Sequence, residues 1–350
     1  MKHKTLIALF VLVHALLLMG TAVPAAKKPT TIPELSLYRG VDRQQILEEG
    51  AKKEGKLTFY TSGAEAIRPV IEAFEKKYPF IKVETWRTSG QPLISRLLEE
   101  FKSGNHAFDT LETTQTVMLI MMASGIVQPF YSPNLAKIED EAVLPAPDGG
   151  AYAVAFRSSG IGLGYNTKLI SKEQLPKTYQ DLLDPKWKGK MAIAGSDTGV
   201  GWSGAIYQTF GEEFLSKIAK QNFALHMVSA AAMANIVISG EYIASPTVLN
   251  ISTIVKKPGT PIAWIPLEPV RVNVGQVAIS KNAPHPHAAL LLADFELSKE
   301  SGEIHRTTGY DHFRTDVPPL EQRYKKYFGP RTTEEVSKEL AIFNKLFVVK

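Results

Sequence analysis

The feature that most constrains this chain is an alternation of short apolar strands with amphipathic helices on both sides of one glycine-rich stretch, residues 148–166 (DGGAYAVAFRSSGIGLGYN). Within it, the runs 151–156 and 161–165 carry no helical period and are bounded by turn residues, the pattern of strands. We read them as two strands meeting at a bend over Arg157, Ser158 and Ser159. Similar amounts of strand and helix lie on either side. The stretch is therefore expected to cross between two lobes, with a cleft where they meet.

Ahead of it the order is regular. Residues 42–54 read as a helix with Ile46, Leu47 and Ala51 on one face, stopped by Gly55. Residues 56–60 form a strand, Thr61, Ser62 and Gly63 a tight turn, and 64–78 a helix whose Val70, Ile71 and Phe74 face a core. A strand over 81–86, a helix over 92–103, a short strand over 108–111 and a helix over 117–124 repeat the pattern, which gives a mostly parallel sheet. Ligands of such sheets bind beyond the carboxyl ends of the strands. Three of these ends carry small polar residues that open a helix: Ser62 and Gly63; Thr88, Ser89 and Gly90; Thr113 and Thr114. Each alone is explained as a helix cap. Together they aim backbone N–H groups at one space, which suits an anion. Arg87, beside the second, reads as a source of full positive charge or as a surface arginine.

Composition sets the class. The chain has 350 residues, 44% of them hydrophobic and 21% charged, enough to bury more than one core. Lys2 and Lys4, an apolar run over 6–19 and small residues up to Ala26 read as a secretory signal cleaved after Ala25. The apolar run is shorter than the roughly 20 residues that span a bilayer. The mature protein is expected to be soluble and exported. There is no cysteine, which removes disulfides, thiol catalysis, thiolate metal sites and a lipoprotein anchor. Of the net charge of +5, two positive charges belong to Lys2 and Lys4. No long basic run with interleaved aromatics argues for nucleic acid.

After the crossover, 166–183 reads as a helix, 185–189 as a turn and 190–194 as a strand. Gly199, Gly201 and Gly204 then have the spacing of a dinucleotide fingerprint, but no acid falls between Glu213 and Glu241, where the ribose contact belongs. A nicotinamide or flavin site is set aside, and no cofactor is expected. What remains is a strand, a glycine-rich turn and a helix start, a second anion-facing wall carrying Asp197, Thr198, Gly201, Trp202 and Ser203. Trp202 reads either as a cover for a ligand or as a core tryptophan. Helices over 212–220 and 229–238, a strand over 240–247, and strands over 262–265 and 270–279 that return to the first half follow. Helices over 286–298 and 334–347 close the chain. Ser159 at the bend and Thr247 complete the candidate ligand-binding set.

Four segments carry a family resemblance: 57–63 (LTFYTSG), 164–169 (GYNTKL), 184–190 (DPKWKGK) and 278–286 (AISKNAPHP). The chain resembles the periplasmic solute-binding proteins of ABC importers, in the branch that includes ferric-ion, thiamine and phosphonate or sugar-phosphate binders. The resemblance implies an α/β, two-lobed type II periplasmic-binding-protein fold, each lobe a mostly parallel sheet flanked by helices, with two crossing hinge strands. It divides the chain into a signal peptide (1–25), a discontinuous first lobe (26–152 and 272–350) and a second lobe (153–271). It implies a monomer that delivers a small anionic solute to an ABC permease and its ATPase. The tyrosine pair that ferric-binding relatives use in the segment here reading 244–250 is missing, as is their histidine after the first strand, so no metal is expected. His285 and His287 read as surface residues at a helix cap. A phosphate, phosphonate or carboxylate is the expected cargo.

Other functions compete. A ferric-binding protein with non-standard ligands, or a sensor subunit presenting its ligand to a receptor kinase or chemoreceptor, uses the same fold. A secreted hydrolase is disfavoured, because no GxSxG elbow appears and Ser203 lacks an accompanying His and carboxylate motif.

Overall fold

The computed structural model describes residues 28–63, 67–88, 90–254, 257–320 and 324–348. The expected signal peptide, 1–25, lies outside them. After a short helix α1 (Ile32–Ser36), helix α2 (Arg43–Glu54) stops at Gly55, whose left-handed φ of 71° ends it as expected. Strand β1 (Lys56–Thr61) is the centre of the first lobe. It pairs in parallel with β2 (Lys82–Arg87) on one side and β3 (Thr110–Thr113) on the other. Helices α3 (Arg68–Lys77) and α4 (Gln91–Lys102) connect them, and α5 (Gln115–Ala123) follows β3.

Alternation along β1 sorts its side chains between two faces. Leu57 and Phe59 enter one buried cluster with Val70, Phe74 and Leu290, whereas Tyr60 enters another with Leu93, Leu97, Leu111 and Met118. Period-2 residues thus meet period-3.6 helices on both sides of the sheet.

Strand β4 (Val127–Gln128) and β5 (Val143–Pro145) lead into β6 (Ala151–Tyr165). The expected bend at Arg157 to Ser159 is absent: β6 is one unbroken strand of 15 residues. Its antiparallel partner is β11 (Val270–Ser280), and the irregularity between them leaves Phe156 of β6 unpaired, one residue before the expected bend, because Gly275 faces Arg157 while Gln276 faces Ala155. A side chain at Gly275 would crowd Glu112 Oε1 at 2.5 Å and Arg157 at 2.6 Å. The backbone of Ser158, meanwhile, is held straight by two hydrogen bonds with Asp311 (2.8 and 3.0 Å).

Beyond the crossing, residues 166–191 contain three short 3-10 turns in place of the expected helix over 166–183. Pro176 and Pro185 interrupt the segment, and the Asp181 carboxylate holds the Lys177 and Thr178 amides in a turn. The apolar residues are still buried: Leu175, Tyr179, Leu182 and Trp187 join the second lobe's core. Strands β7 (Ala192–Ala194) and β8 (Ala224–His226) run parallel, and β9 (Ala244–Leu249) pairs antiparallel with β6. Helix α6 (Asp197–Ala219) covers the expected helix start at the glycine-rich turn and nearly all of the helix expected over 212–220, kinked at Gly211. Helix α7 (Ala230–Ser239), α8 (Ile251–Ile254) and β10 (Ala263–Ile265) complete this lobe. Within the described residues, one sheet runs β10-β6-β11-β3-β1-β2 through both lobes, parallel at β1 to β3 and antiparallel at the crossing strands.

The chain then returns through α9 (Pro286–Glu296) and α10 (Lys299–Thr307). His285 and His287 are more anchored than the surface reading held: their Nδ1 atoms lie 2.9 Å from Asp109 and 2.6 Å from Glu54. Strand β12 (Lys326–Tyr327) pairs in parallel with β11, and α11 (Thr333–Phe343) follows. Residues 272–350 were all expected in the first lobe. Ile342, Phe343 and Phe347 instead pack with Trp202 and Ile206 in the second lobe's core, because the apolar face of the last helix finds its partner on α6. No helix among the described residues is long and apolar enough to cross a membrane.

Candidate functional site

The turn after β1 has its donors already engaged. Glu112, fully buried on β3, accepts hydrogen bonds through Oε2 from Thr61 Oγ1 (2.5 Å), Ser62 N (3.0 Å), Gly63 N (2.8 Å) and Ser62 Oγ (3.3 Å). Its other oxygen receives Arg157 Nη2 from β6. Amides predicted to face a solute therefore hold an internal carboxylate, and the carboxylate holds an internal cation that also lies over the Tyr310 ring at 4.7 Å. Arg87 is exposed on the outermost strand, where its Nε donates to Gly63 O (2.6 Å). Thr88 N donates to Thr61 O (3.2 Å), and Gly90 caps α4 at a φ of 63°. Ser89 lies outside the described residues.

A crevice opens nearer the crossing strands. Strand β3 stops pairing with β11 at Gln276 and β12 begins at Arg271, so the β11 edge between them is left uncovered. Thr114, Gln115 and Thr116 at the start of α5 form one wall, Asp197 at the start of α6 the other, and Arg271, Val272, Asn273 and Val274 the floor. The cap residues Thr114 and Ser196 make no side-chain capping bond to their helices. Thr113 Oγ1, Thr114 Oγ1 and Ser159 Oγ are buried without a hydrogen-bond partner. The crevice adjoins a cavity of about 280 Å³ lined by Ile94, Val117 and Ile120 of the first lobe, Val200 and Gly201 of α6, and Val336, Glu339 and Leu340 of α11. Asp197 and Arg271 line both spaces.

Arg271 is the pivot of this arrangement. It is only 8% exposed, Nη1 has no hydrogen-bond partner, and it forms no salt bridge among the described residues. Burial lowers its pKa, while Glu339, Tyr327 and Asp197 act in the opposite sense. Two glycines make the slot it occupies. A Cβ at Gly329 would overlap Nη1, and one at Gly201 would stand 3.0 Å from Nε. A Cβ at Gly204 would meet the Glu339 carboxyl at 2.5 Å, and one at Gly199 would overlap Ala194 O. The fingerprint-like spacing is thus explained by close approach of a strand and two charged side chains to α6. Desolvation raises the pKa of Asp197 and of Glu339, and Arg271 opposes both shifts. Tyr327 Oη donates to Glu339 Oε1 at 3.0 Å.

Other predicted site residues belong to the interior. Trp202 is 1% exposed and packs between Phe223 and Phe347, in the position of a core tryptophan. Ser203 is fully buried and donates to Val200 O (3.0 Å). Thr247 is also fully buried, and its Oγ1 accepts from Ala194 N (2.9 Å). Thr198 shares a 2.9 Å hydrogen bond with Ser196. From the predicted set, the crevice gathers Thr114 and Asp197, with Thr113 directly before Thr114, and the adjoining cavity adds Gly90 and Gly201. Arg271, Asn273, Thr116 and Glu339 were missed. For the first two a signal existed: in VRVNV, polar residues alternate with valines, so one face of an otherwise apolar strand is polar. Among the described residues no three His, Asp or Glu side chains gather as a metal site.

The family profile of bacterial extracellular solute-binding proteins matches residues 110–327. Iron uptake protein A1 of Synechocystis sp. is 28% identical over 241 residues, covering 62% of this chain and 65% of that one. Iron-bound HitA from Pseudomonas aeruginosa superimposes with a TM-score of 0.69 at 20% identity, covering 83% of this chain and 99% of HitA. AfuA from Actinobacillus pleuropneumoniae, with fructose-6-phosphate bound, gives a TM-score of 0.66 at 20% identity and covers 85% and 100%. The two structures share the fold, a two-lobed periplasmic binding protein, and carry chemically different cargo.

Proposed function

This chain belongs to the bacterial extracellular solute-binding protein family, and from that premise we propose that it is the periplasmic substrate-binding subunit of an ABC importer whose solute carries an anionic group held at Arg271. The lobes are taken as 26–152 and 153–271, with the chain returning to the first at 272. The protein carries its solute unchanged to a permease and its ATPase.

The observation that carries this reading is a buried guanidinium that makes no salt bridge among the described residues and leaves Nη1 without a hydrogen-bond partner, with Glu339 and Asp197 acting on it only at longer range. A buried charge that is incompletely paired is costly, and an arriving anion offsets that cost. The positive ends of α5 and α6 face the same crevice from opposite lobes and add to the attraction. A solute that touches both walls favours the closed arrangement through contacts the open one lacks. The turn after β1 takes no direct part, since Glu112 occupies its amides.

Thermal unfolding tests the proposal, with organic phosphates, phosphonates, carboxylates and ferric citrate as additions. A ligand at 100 times its Kd adds about 2.7 kcal/mol, a shift of several degrees. We expect one anionic class to shift the wild type, and Arg271→Met to lose roughly ten- to a hundredfold in affinity, the worth of a charged hydrogen bond. A ferric reading is favoured by the iron-linked names of two similar proteins. A shift with ferric citrate alone, retained in Arg271→Met, would establish it in place of anion capture.

A further inference from the structure

Resting on the anion-capture reading, we infer that the solute is a zwitterion with an apolar body: its anionic head meets Arg271, a cationic group meets Asp197 and Glu339, and an aliphatic or aromatic portion fills the adjoining cavity. Three observations lead there. The first is a charge imbalance. One guanidinium and two carboxylates line the same space, and neither acid forms a salt bridge with Arg271 among the described residues. A purely anionic solute would satisfy Arg271 while bringing like charge up to Asp197 and Glu339, which costs energy. An ammonium group satisfies the acids at the same time, and its three donors match carboxylate oxygens.

Second, Glu339 is buried and short of compensation: burial raises its pKa against the pull of Arg271. Asp197 is exposed and lines the same space, open to a solute's cationic group. Third, the remainder of the cavity is aliphatic, with Ile94, Ile120 and Leu340 contributed by three different helices. At about 280 Å³ it has the volume of roughly nine water molecules at ~30 Å³ each. That is room for a branched or aromatic body beyond the charged groups, and apolar walls favour such a body over a polyol.

The test is calorimetry with matched probes: leucine beside 4-methylpentanoate, and 1-amino-3-methylbutylphosphonate beside 3-methylbutylphosphonate. The two pairs distinguish a carboxylate head from a phosphonate head. In the wild type each amino compound that binds is expected to do so at least tenfold more tightly than its desamino partner. Asp197→Asn and Glu339→Gln, checked for native circular dichroism, are expected to weaken the amino compound tenfold or more. The opposite sign overturns the inference: a desamino probe binding as well as its partner, or tighter anion binding in Asp197→Asn, means a plain anion and leaves anion capture standing. Binding that is indifferent to Arg271→Met, or no heat from any of the four probes, overturns the inference; indifference to Arg271→Met removes anion capture with it.

Discussion

At the scale of single residues, Arg271 and the two glycines beside it form one unit. Gly329 sits at a φ of 94°, a conformation that side-chain-bearing residues rarely adopt, and a Cβ there would overlap Nη1. Gly329→Ala is therefore expected to lose both stability, by about 2 kcal/mol or more from strain and overpacking, and ligand binding. Gly201 differs. It lies within α6, where alanine is better than glycine by about 1 kcal/mol, and the new Cβ would press on Nε at 3.0 Å. Gly201→Ala should unfold at about the same denaturant concentration as the wild type and bind its ligand more weakly. Chemical denaturation and calorimetry on the two variants separate these outcomes; equal affinity in Gly201→Ala and wild type would show that Arg271 is not positioned by this slot.

At the scale of elements, buried polar ties join β1, β3 and β6. Glu112→Ala leaves Arg157 buried without its anion and the Ser62 and Gly63 amides without their acceptor. The expected loss is about 3–5 kcal/mol, measured as a fall in the urea midpoint, with Glu112→Gln between the two. Nearby, on α9, burial pushes the Glu296 carboxyl up to about 8, with Glu112 adding to the rise and Arg157 opposing it. The folded protein thus holds this proton more tightly than the unfolded chain. The stability it confers is complete below the ordinary carboxylate range and is lost as pH rises toward 8. Glu296→Gln should flatten the fall in Tm between pH 5 and 8.5; unchanged slopes would place the charged form in the fold. These ties also mark the limit of what sequence reveals. Strand and helix order was legible because hydrophobic period reports local structure, as at β1 and α3. The engagement of Ser62 and Gly63 was not, because the acid that takes their amides lies 50 residues away and looks like any other glutamate in a strand. Arg271 was overlooked because its slot is made by Gly201 and Gly329, which meet only when the tail folds back across α6.

For the whole molecule, that returning tail has a mechanical consequence. Gln115 Nε2 donates to Pro330 O at 2.5 Å, and Arg331 donates to Glu141 O at 2.8 Å and to Val143 O at 3.3 Å, so the segment is tied to the first lobe. At the far end of α11 and just past it, Ile342, Phe343 and Phe347 are anchored in the core of the second. Separation of the lobes must stretch or release this segment, so its hydrogen bonds oppose opening, whereas closure leaves them intact. Releasing the tail should shift the unliganded population toward open forms and reduce apparent affinity by the fraction that remains competent to bind, with no direct ligand contact altered. Gln115 lines the crevice, so the test uses Arg331→Ala alone, which touches neither the crevice nor the cavity. Small-angle scattering of the ligand-free variant should give a larger radius of gyration than the wild type, and saturating ligand should bring the two to the same value. If the ligand-free radii coincide, the tail does not restrain opening, and closure of the two lobes is set by the crossing strands β6 and β11.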